Sequence, residues 1–144
     1  MNHTLIFQPA TWNISGVLFT TEDKLLHCSG KCQIIHEKVW NVYLEINSEN
    51  DPQFTIKQSL EIENPDILKS GLSYIAEHSR LGKIIGRYMI SDDHIISVFE
   101  SSGKSYSATE YFKRVSDQFY KNRGIIFEGE SKFLSWSLDY KRND

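Results

Sequence analysis

The stretch Phe54-Thr55-Ile56-Lys57-Gln58-Ser59-Leu60-Glu61-Ile62 alternates between apolar and polar residues with a period of two. Its apolar members are Phe54, Ile56, Leu60 and Ile62. Successive side chains of a β-strand point to opposite faces, so this period predicts a strand with one face against a core and the other against water. Gln58 interrupts the apolar face and is its clearest polar intruder.

The same alternation recurs on both sides of this segment, in stretches that are separated by polar or glycine-containing turns. The predicted strands are 12–20, 25–35, 39–46, 54–62, 72–90 with bends at Gly82 and Gly86, 94–100, 105–115, 119–128 and 132–141. Their spacing is typical of antiparallel hairpins rather than of βαβ units. We expect an all-β fold, an antiparallel up-and-down β-barrel of about ten strands.

Two segments also fit a helical pattern. In 65–80, Asn64 suits a helix cap and Pro65 suits the first helical position. In 107–121, Ser107 and Glu110 form a capping box ahead of apolar residues at helical spacing. The alternative fold is therefore α+β, a curved antiparallel sheet with one or two helices laid across it.

The length, the net charge and the distribution of charged residues limit the classes of protein to consider. The chain has 144 residues, a formal net charge of -3 and a pI near 5.9, so we expect one domain over 1–144. Lys and Arg are scattered, and nucleic-acid binding is not expected. The short apolar cluster Leu5-Ile6-Phe7 suits neither a signal peptide nor a membrane span. We expect a cytoplasmic protein.

Cys28 and Cys32 lie on the same face of the second predicted strand. Four residues of strand separate them by about 13 Å, which is too far for a disulfide. We expect both to be small apolar core residues. His27 points to the face opposite the cysteines in this alternation, and His36 lies at the turn that follows the strand, so no zinc site is expected from these four residues.

Trp12 lies on the first predicted strand, and the last strand ends in Leu138-Asp139-Tyr140-Lys141-Arg142. With the order and spacing of the hairpins, these residues resemble the calycin group of small barrels, which includes lipocalins and fatty-acid-binding proteins. In lipocalins a basic residue of the last strand covers a tryptophan of the first, and Trp12 with Lys141 or Arg142 is similar. Ala10 stands where the usual Gly-x-Trp opening has glycine, so no single family is indicated. The resemblance implies a barrel that holds a small, mostly apolar molecule.

A barrel of about ten strands has an interior that side chains alone fill with difficulty, so we expect a cavity. The candidate ligand-binding residues on its inward faces are Gln58, His78, Trp40, Phe54, Tyr74, Tyr88, Glu110, Arg114 and Trp136. The aromatic members would supply apolar area, and the polar members would orient the ligand. No cofactor is assigned by these residues.

Each polar candidate also has an ordinary structural interpretation. Gln58 would be an amide held by neighbouring backbone at a bulge, and His78 would be a satisfied or rim-exposed histidine. In a strand, Glu110 and Arg114 would form an inward ion pair at the mouth of the cavity. In a helix they would form an exposed pair of little energetic weight.

Three functional hypotheses follow. The first is an intracellular, non-catalytic binding protein for a small hydrophobic or amphipathic ligand. The second is a barrel enzyme that isomerises, hydrolyses or attaches a hydrophobic substrate, with His78 or Glu110 transferring protons. The third is an interaction module with a filled core, whose outer residues Ile75, Ile85 and Met89 form an apolar patch that suits a homodimer.

Overall fold

The computed structural model describes residues 3–66 and 70–143. Ten strands follow one another: β1 (Ala10–Thr20), β2 (Leu25–His36), β3 (Trp40–Ser48), β4 (Thr55–Ile62), β5 (Gly71–His78), β6 (Gly82–Ile90), β7 (His94–Ser101), β8 (Tyr106–Ser116), β9 (Phe119–Glu128) and β10 (Ser131–Arg142). Within the described ranges there is no helix. The all-β prediction is confirmed.

The sheet closes on itself because β1 pairs with both β2 and β10. Strands adjacent in sequence are adjacent in the sheet, and the closing β1–β10 pair is antiparallel like the others. Along this seam the register runs from Trp12 opposite Arg142 to Thr20 opposite Leu134. Closure removes unpaired edges, and the prediction of an up-and-down barrel is confirmed.

The helical alternative is wrong wherever the structure describes the two segments; residues 67–69 lie outside the described part. In β5, His78 and the alternate residues before it are buried, whereas the residues between them are exposed. In β8, Ser107 lies opposite Glu100 and Glu110 lies opposite Ser97. A helix cap is worth about 1 kcal/mol. The pairing of both edges of a strand and the burial of one face outweigh that local preference.

Residues 3–8 close one end of the barrel, which we call the lower end. Leu5 and Ile6 are buried there. His36 Nε2 donates a hydrogen bond to the carbonyl oxygen of Ile6 at 2.7 Å, and Thr4 Oγ1 donates to that of Asp117 at 2.6 Å. The N-terminal segment is thereby held across the ends of strands that are distant in sequence.

The turns at 21–24, 49–54, 79–81, 102–105 and 129–130 surround the opposite, upper end. There the guanidinium of Arg80 lies 4.1 Å from the centroid of the Phe54 ring. A groove of about 270 Å³ runs between these turns, and its wall includes Leu134. Leu134 also lines the interior, so this groove lies next to the inside of the barrel.

Trp12 is fully buried near the lower end, with its ring edge-on to Tyr120 at a centroid distance of 5.6 Å. It lies opposite Arg142 in the seam, so a tryptophan of the first strand meets a basic residue of the last. The ammonium of Lys141, by contrast, lies 5.6 Å from the Phe119 ring centroid.

Cys28 and Cys32 are buried, free thiols. Both belong to the apolar core, as their shared strand face predicted. None of the described residues belongs to a helix long and apolar enough to cross a bilayer.

Candidate functional site

Two internal cavities lie one above the other inside the barrel. The upper cavity has a volume of about 50 Å³ and the lower one about 40 Å³. Each is lined mainly by apolar and aromatic side chains. The residues that line both are Leu44, Gln58, Glu110 and Tyr140. These shared residues form the layer between the cavities.

Large side chains fill most of the interior, so the expected cavity is present only in this divided form. A water molecule needs roughly 10–15 Å³ of such space, and an engineered cavity of roughly 150 Å³ holds benzene. The upper cavity, at about 50 Å³, therefore has room for a few water molecules or a small polar head group. A longer apolar tail requires side chains to move.

Glu110 is the titratable centre of the interior. It lies on the inward face of β8, opposite Ser97 of β7 and Gly124 of β9. Burial raises the pKa of its carboxyl to about 7, although the hydrogen bond from Asn122 acts in the opposite direction. Glu110 is thus divided between its neutral and ionised forms near neutral pH.

Asn122, which the sequence reasoning did not single out, is the partner of Glu110. Its side chain is 1% exposed, and Nδ2 donates to Glu110 Oε1 at 2.9 Å and to the Tyr111 carbonyl oxygen at 3.0 Å. Its Oδ1 is buried and has no hydrogen-bond partner among the described residues. The signal was available, because Asn122 interrupts the apolar alternation of β9 as Gln58 interrupts that of β4.

Trp136 lies beside this pair because Gly124 leaves room for its ring. Gly124 faces Glu110 on one side and Trp136 on the other in the sheet register. A Cβ atom at position 124 would overlap the Trp136 ring and lie 2.7 Å from Glu110 Cβ. The indole therefore forms part of the upper cavity wall, as predicted for Trp136.

His78 lines the upper cavity near the upper end. Its Nδ1 accepts hydrogen bonds from the backbone N–H groups of Arg80 at 3.1 Å and Leu81 at 3.3 Å. Burial, and to a smaller extent the neighbouring Arg80 charge, lower its pKa to about 4. His78 is therefore neutral at physiological pH, with the ring proton on Nε2. Its Nδ1 is therefore satisfied by backbone donors, and its ring borders the upper cavity.

Gln58 lies opposite His78 in the last pair of the β4–β5 ladder. It lines both cavities, and no described residue makes a hydrogen bond with its side chain. The interpretation of Gln58 as an amide tied to nearby backbone therefore does not match the geometry. Its amide is available to a molecule inside the barrel.

Tyr74 and Tyr88 both point inward, with ring centroids 4.7 Å apart. The Tyr74 hydroxyl is hydrogen-bonded to Ser97 Oγ at 2.6 Å, whereas Tyr88 lines the lower cavity. Burial raises the pKa of both phenols, so both remain neutral. Tyr74 supports the wall, and Tyr88 contributes to the site itself.

Besides Tyr74, three predicted site residues line neither cavity. Trp40 is at the lower end, stacked on His36 at a centroid distance of 3.9 Å, and Phe54 is at the upper end under Arg80. Arg114 is near the lower end, where its Nη2 donates to Asp117 Oδ1 at 2.5 Å. The expected inward pair of Glu110 and Arg114 is not formed. Four residues of strand separate the two by about 13 Å, so each finds a nearer partner.

The outer wall carries part of the expected apolar patch. Ile75 and Ile85 lie opposite each other and are 41% and 52% exposed, whereas Met89 is half-buried. That this patch forms a homodimer stays a prediction. Within residues 3–66 and 70–143, no cluster of three or more His, Cys, Asp or Glu side chains is arranged to hold a metal ion.

Among solved structures, the chain is similar to the S-type phycobiliprotein lyase of Guillardia theta. The TM-score is 0.66 at 11% sequence identity, over 95% of this chain and 89% of the lyase. The likeness is one of fold. It agrees with the closed antiparallel barrel that the hairpin order indicated. No protein-family model matches the sequence, and no curated protein matches it.

Proposed function

We propose that this chain is an intracellular binding protein that holds a small amphipathic molecule inside the barrel, with the polar end of the molecule at Glu110 and Asn122. The observation that carries the proposal is the buried Asn122 Oδ1, which has no partner among the described residues although it borders a cavity. Buried polar atoms are nearly always hydrogen-bonded, because an unpaired one costs roughly 1–3 kcal/mol. A bound molecule with a donor at this point removes that cost.

The apolar part of the ligand would extend toward the upper end. The upper cavity wall is apolar in that direction and includes Phe99, Ile126 and Leu134. Leu134 also borders the groove at the upper end, where the Phe54 and Arg80 side chains form a cover. A route between water and the cavity through this end requires side chains to move and leaves the strand ladders intact.

Ligand binding is tested by nuclear magnetic resonance titration with hexylamine, hexanol and hexanoate. Binding inside the barrel shifts the Asn122 and Gln58 side-chain amide signals and the Trp136 indole signal, together and saturably. Leu138→Phe fills the upper cavity and should abolish these shifts, whereas Leu25→Phe on the exposed surface should not. If the interior signals of the folded protein respond to none of the three compounds, the proposal is wrong.

A second candidate function is proton transfer on a small carbonyl compound. The observation in its favour is the Glu110 carboxyl, whose pKa of about 7 suits a general base at neutral pH, in a cavity that His78 also lines. The structural neighbour is by name a lyase, so this architecture also serves an enzyme. Deuterium uptake from heavy water next to the carbonyl of small ketones tests it. Uptake equal to the buffer rate in wild type and Glu110→Gln would remove this candidate.

A further inference from the structure

The charge inside the barrel has one sign. Among the residues that line the two cavities, none is a lysine or an arginine. The ionised Glu110 carboxylate therefore has no cation beside it within the described cavity walls, and its one hydrogen bond comes from the neutral Asn122 amide.

The other groups that face Glu110 are neutral at physiological pH. They come from four strands: Cys32 of β2, Tyr74 of β5, Tyr88 of β6 and Tyr140 of β10. Burial and the Glu110 charge raise the pKa of each of these thiol and phenol groups. His78, in the same cavity, is also neutral, because burial lowers its pKa to about 4. Nothing in this set balances a negative charge on Glu110.

Glu110 and Asn122 also have hydrogen-bond acceptors that lack a donor among the described residues. Asn122 Oδ1 can only accept, and it has no donor among the described residues. Among the described residues, the Glu110 carboxylate accepts one hydrogen bond, on Oε1, and has further lone pairs to satisfy. The Glu110 carboxylate on β8 and Asn122 Oδ1 on the neighbouring strand β9 are therefore both acceptors. Each needs a hydrogen-bond donor from a third group.

We propose, on the basis of the binding function above, that this site selects a ligand with a primary ammonium group, whose N–H donors reach the Glu110 carboxylate and Asn122 Oδ1. An ammonium has three donors and a positive charge, and a buried charge is tolerated when it is paired and hydrogen-bonded. A carboxylate ligand would repel Glu110 and find no cation. An alcohol has a single donor and leaves the charge unbalanced.

Proton release on binding follows from this arrangement. An ammonium ligand stabilises ionised Glu110, so the fraction of the protein that begins with a protonated carboxyl must lose that proton to water when the ligand binds. The amine keeps its own proton, and the charge balances. Apparent affinity for the amine should fall about tenfold for each pH unit below the Glu110 pKa.

The decisive experiment compares propylamine, propanol and propionate, with their six-carbon counterparts, by calorimetry at about pH 8 and by the Asn122 side-chain amide signal. The amine should bind at least about tenfold more tightly than the alcohol, and the carboxylate should not bind. Glu110→Gln should weaken amine binding at least about tenfold, so that the preference for the amine over the alcohol is lost. Glu100→Gln, an exposed carboxyl on the outer face of β7, is the matched control and should change neither.

The outcomes separate the two proposals. If alcohol or carboxylate binds as tightly as amine, or if Glu110→Gln leaves the preference intact, the ammonium inference is wrong and the binding function stands. If no compound of either chain length shifts the interior signals, both are wrong. Should Glu110→Gln not fold, the wild-type pH titration decides, because an affinity for amine that is constant from about pH 5 to 8 contradicts the inference.

Discussion

His3 and Tyr120 are hydrogen-bonded at 2.7 Å between Nδ1 and the phenol oxygen, although 117 residues separate them along the chain. His3 Nε2 donates to the Ser91 carbonyl oxygen at 2.7 Å, so Nδ1 accepts from the Tyr120 hydroxyl. That phenol oxygen also accepts from the backbone N–H of Thr4 at 3.1 Å. Tyr120 therefore holds the N-terminal segment over the lower end of the barrel.

Tyr120→Phe should lower the free energy of unfolding by about 2 kcal/mol, because it leaves buried donors and acceptors of His3 and Thr4 unpaired. Urea denaturation measures this loss, and hydrogen exchange at Thr4 and Gln8 should accelerate more than exchange in the strands. Tyr43→Phe is the control, since Tyr43 is 42% exposed. Equal stability of the two variants would show that the Tyr120 hydroxyl does not contribute to holding the N-terminal segment.

Glu110→Gln should change how stability depends on pH. Since the pKa of Glu110 is raised from 4.5 to about 7 in the folded state, the folded protein binds more protons than the unfolded chain in this window. Protonation of Glu110 therefore stabilises the folded wild-type protein most below pH 4.5. This stabilisation is lost as pH rises through 7. The variant has no carboxyl to ionise at this position. Above pH 7 its free energy of unfolding should therefore rise by up to roughly 3 kcal/mol relative to that of wild type.

Thermal and urea denaturation between about pH 4 and 8 provide the comparison for Glu110. Glu100→Gln, which removes an exposed carboxyl, should follow the wild-type curve closely. A constant difference between wild type and Glu110→Gln over this range would mean that folding does not raise the pKa of the Glu110 carboxyl.

His78 should make the stability depend on pH in the direction opposite to that caused by Glu110. Burial lowers its pKa from 6.5 to about 4, so the unfolded chain binds the additional proton, and stability falls as pH decreases from 6.5 toward 4. His78→Asn keeps an acceptor for the Arg80 and Leu81 N–H groups and removes the titration. Relative to this variant, wild type should lose roughly 3 kcal/mol over the same range, measured by urea denaturation. His27→Asn, at an exposed position, is the matched control.

Gly86→Ala should destabilise the barrel by about 2 kcal/mol, because a Cβ atom there would lie 2.5 Å from the Tyr74 ring and 2.7 Å from the Val98 carbonyl oxygen. The phenol of Tyr74 must shift, which also weakens its bond to Ser97. Gly71→Ala is the matched control, since its nearest atom would be 3.6 Å away. Chemical denaturation of both variants measures the difference, and equal values would mean that the Tyr74 ring relaxes freely.

Much of the site was predictable from the period of two alone. Gln58, His78 and Glu110 each occupy an inward position of the alternation, and all three line a cavity. The same rule applied to β9 would have found Asn122. Alternation assigns a face to each residue because successive side chains of a strand point in opposite directions, whatever the strand pairs with.

The partner of Glu110 was not predictable, because it depends on register. Glu110 lies opposite Gly124, and Phe112 lies opposite Asn122, so the Glu110–Asn122 bond is diagonal. An irregularity between Arg114 and Ser116, next to the Asp117-Gln118 turn, shifts this pairing. A shift of one residue would turn Asn122 outward. The expected partner, Arg114, is near in sequence and distant along an extended strand.

The local alternation by itself determined that this chain forms strands, which side chains face inward, and that the two cysteines belong to the core. The tertiary structure alone decided that Ala10–Thr20 closes on Ser131–Arg142, and that Leu44, Gln58, Glu110 and Tyr140 meet in a layer that divides the interior into two small cavities. Strand periodicity is a property of neighbouring residues. Closure and internal volume depend on contacts between side chains that the chain brings together only after every hairpin has formed.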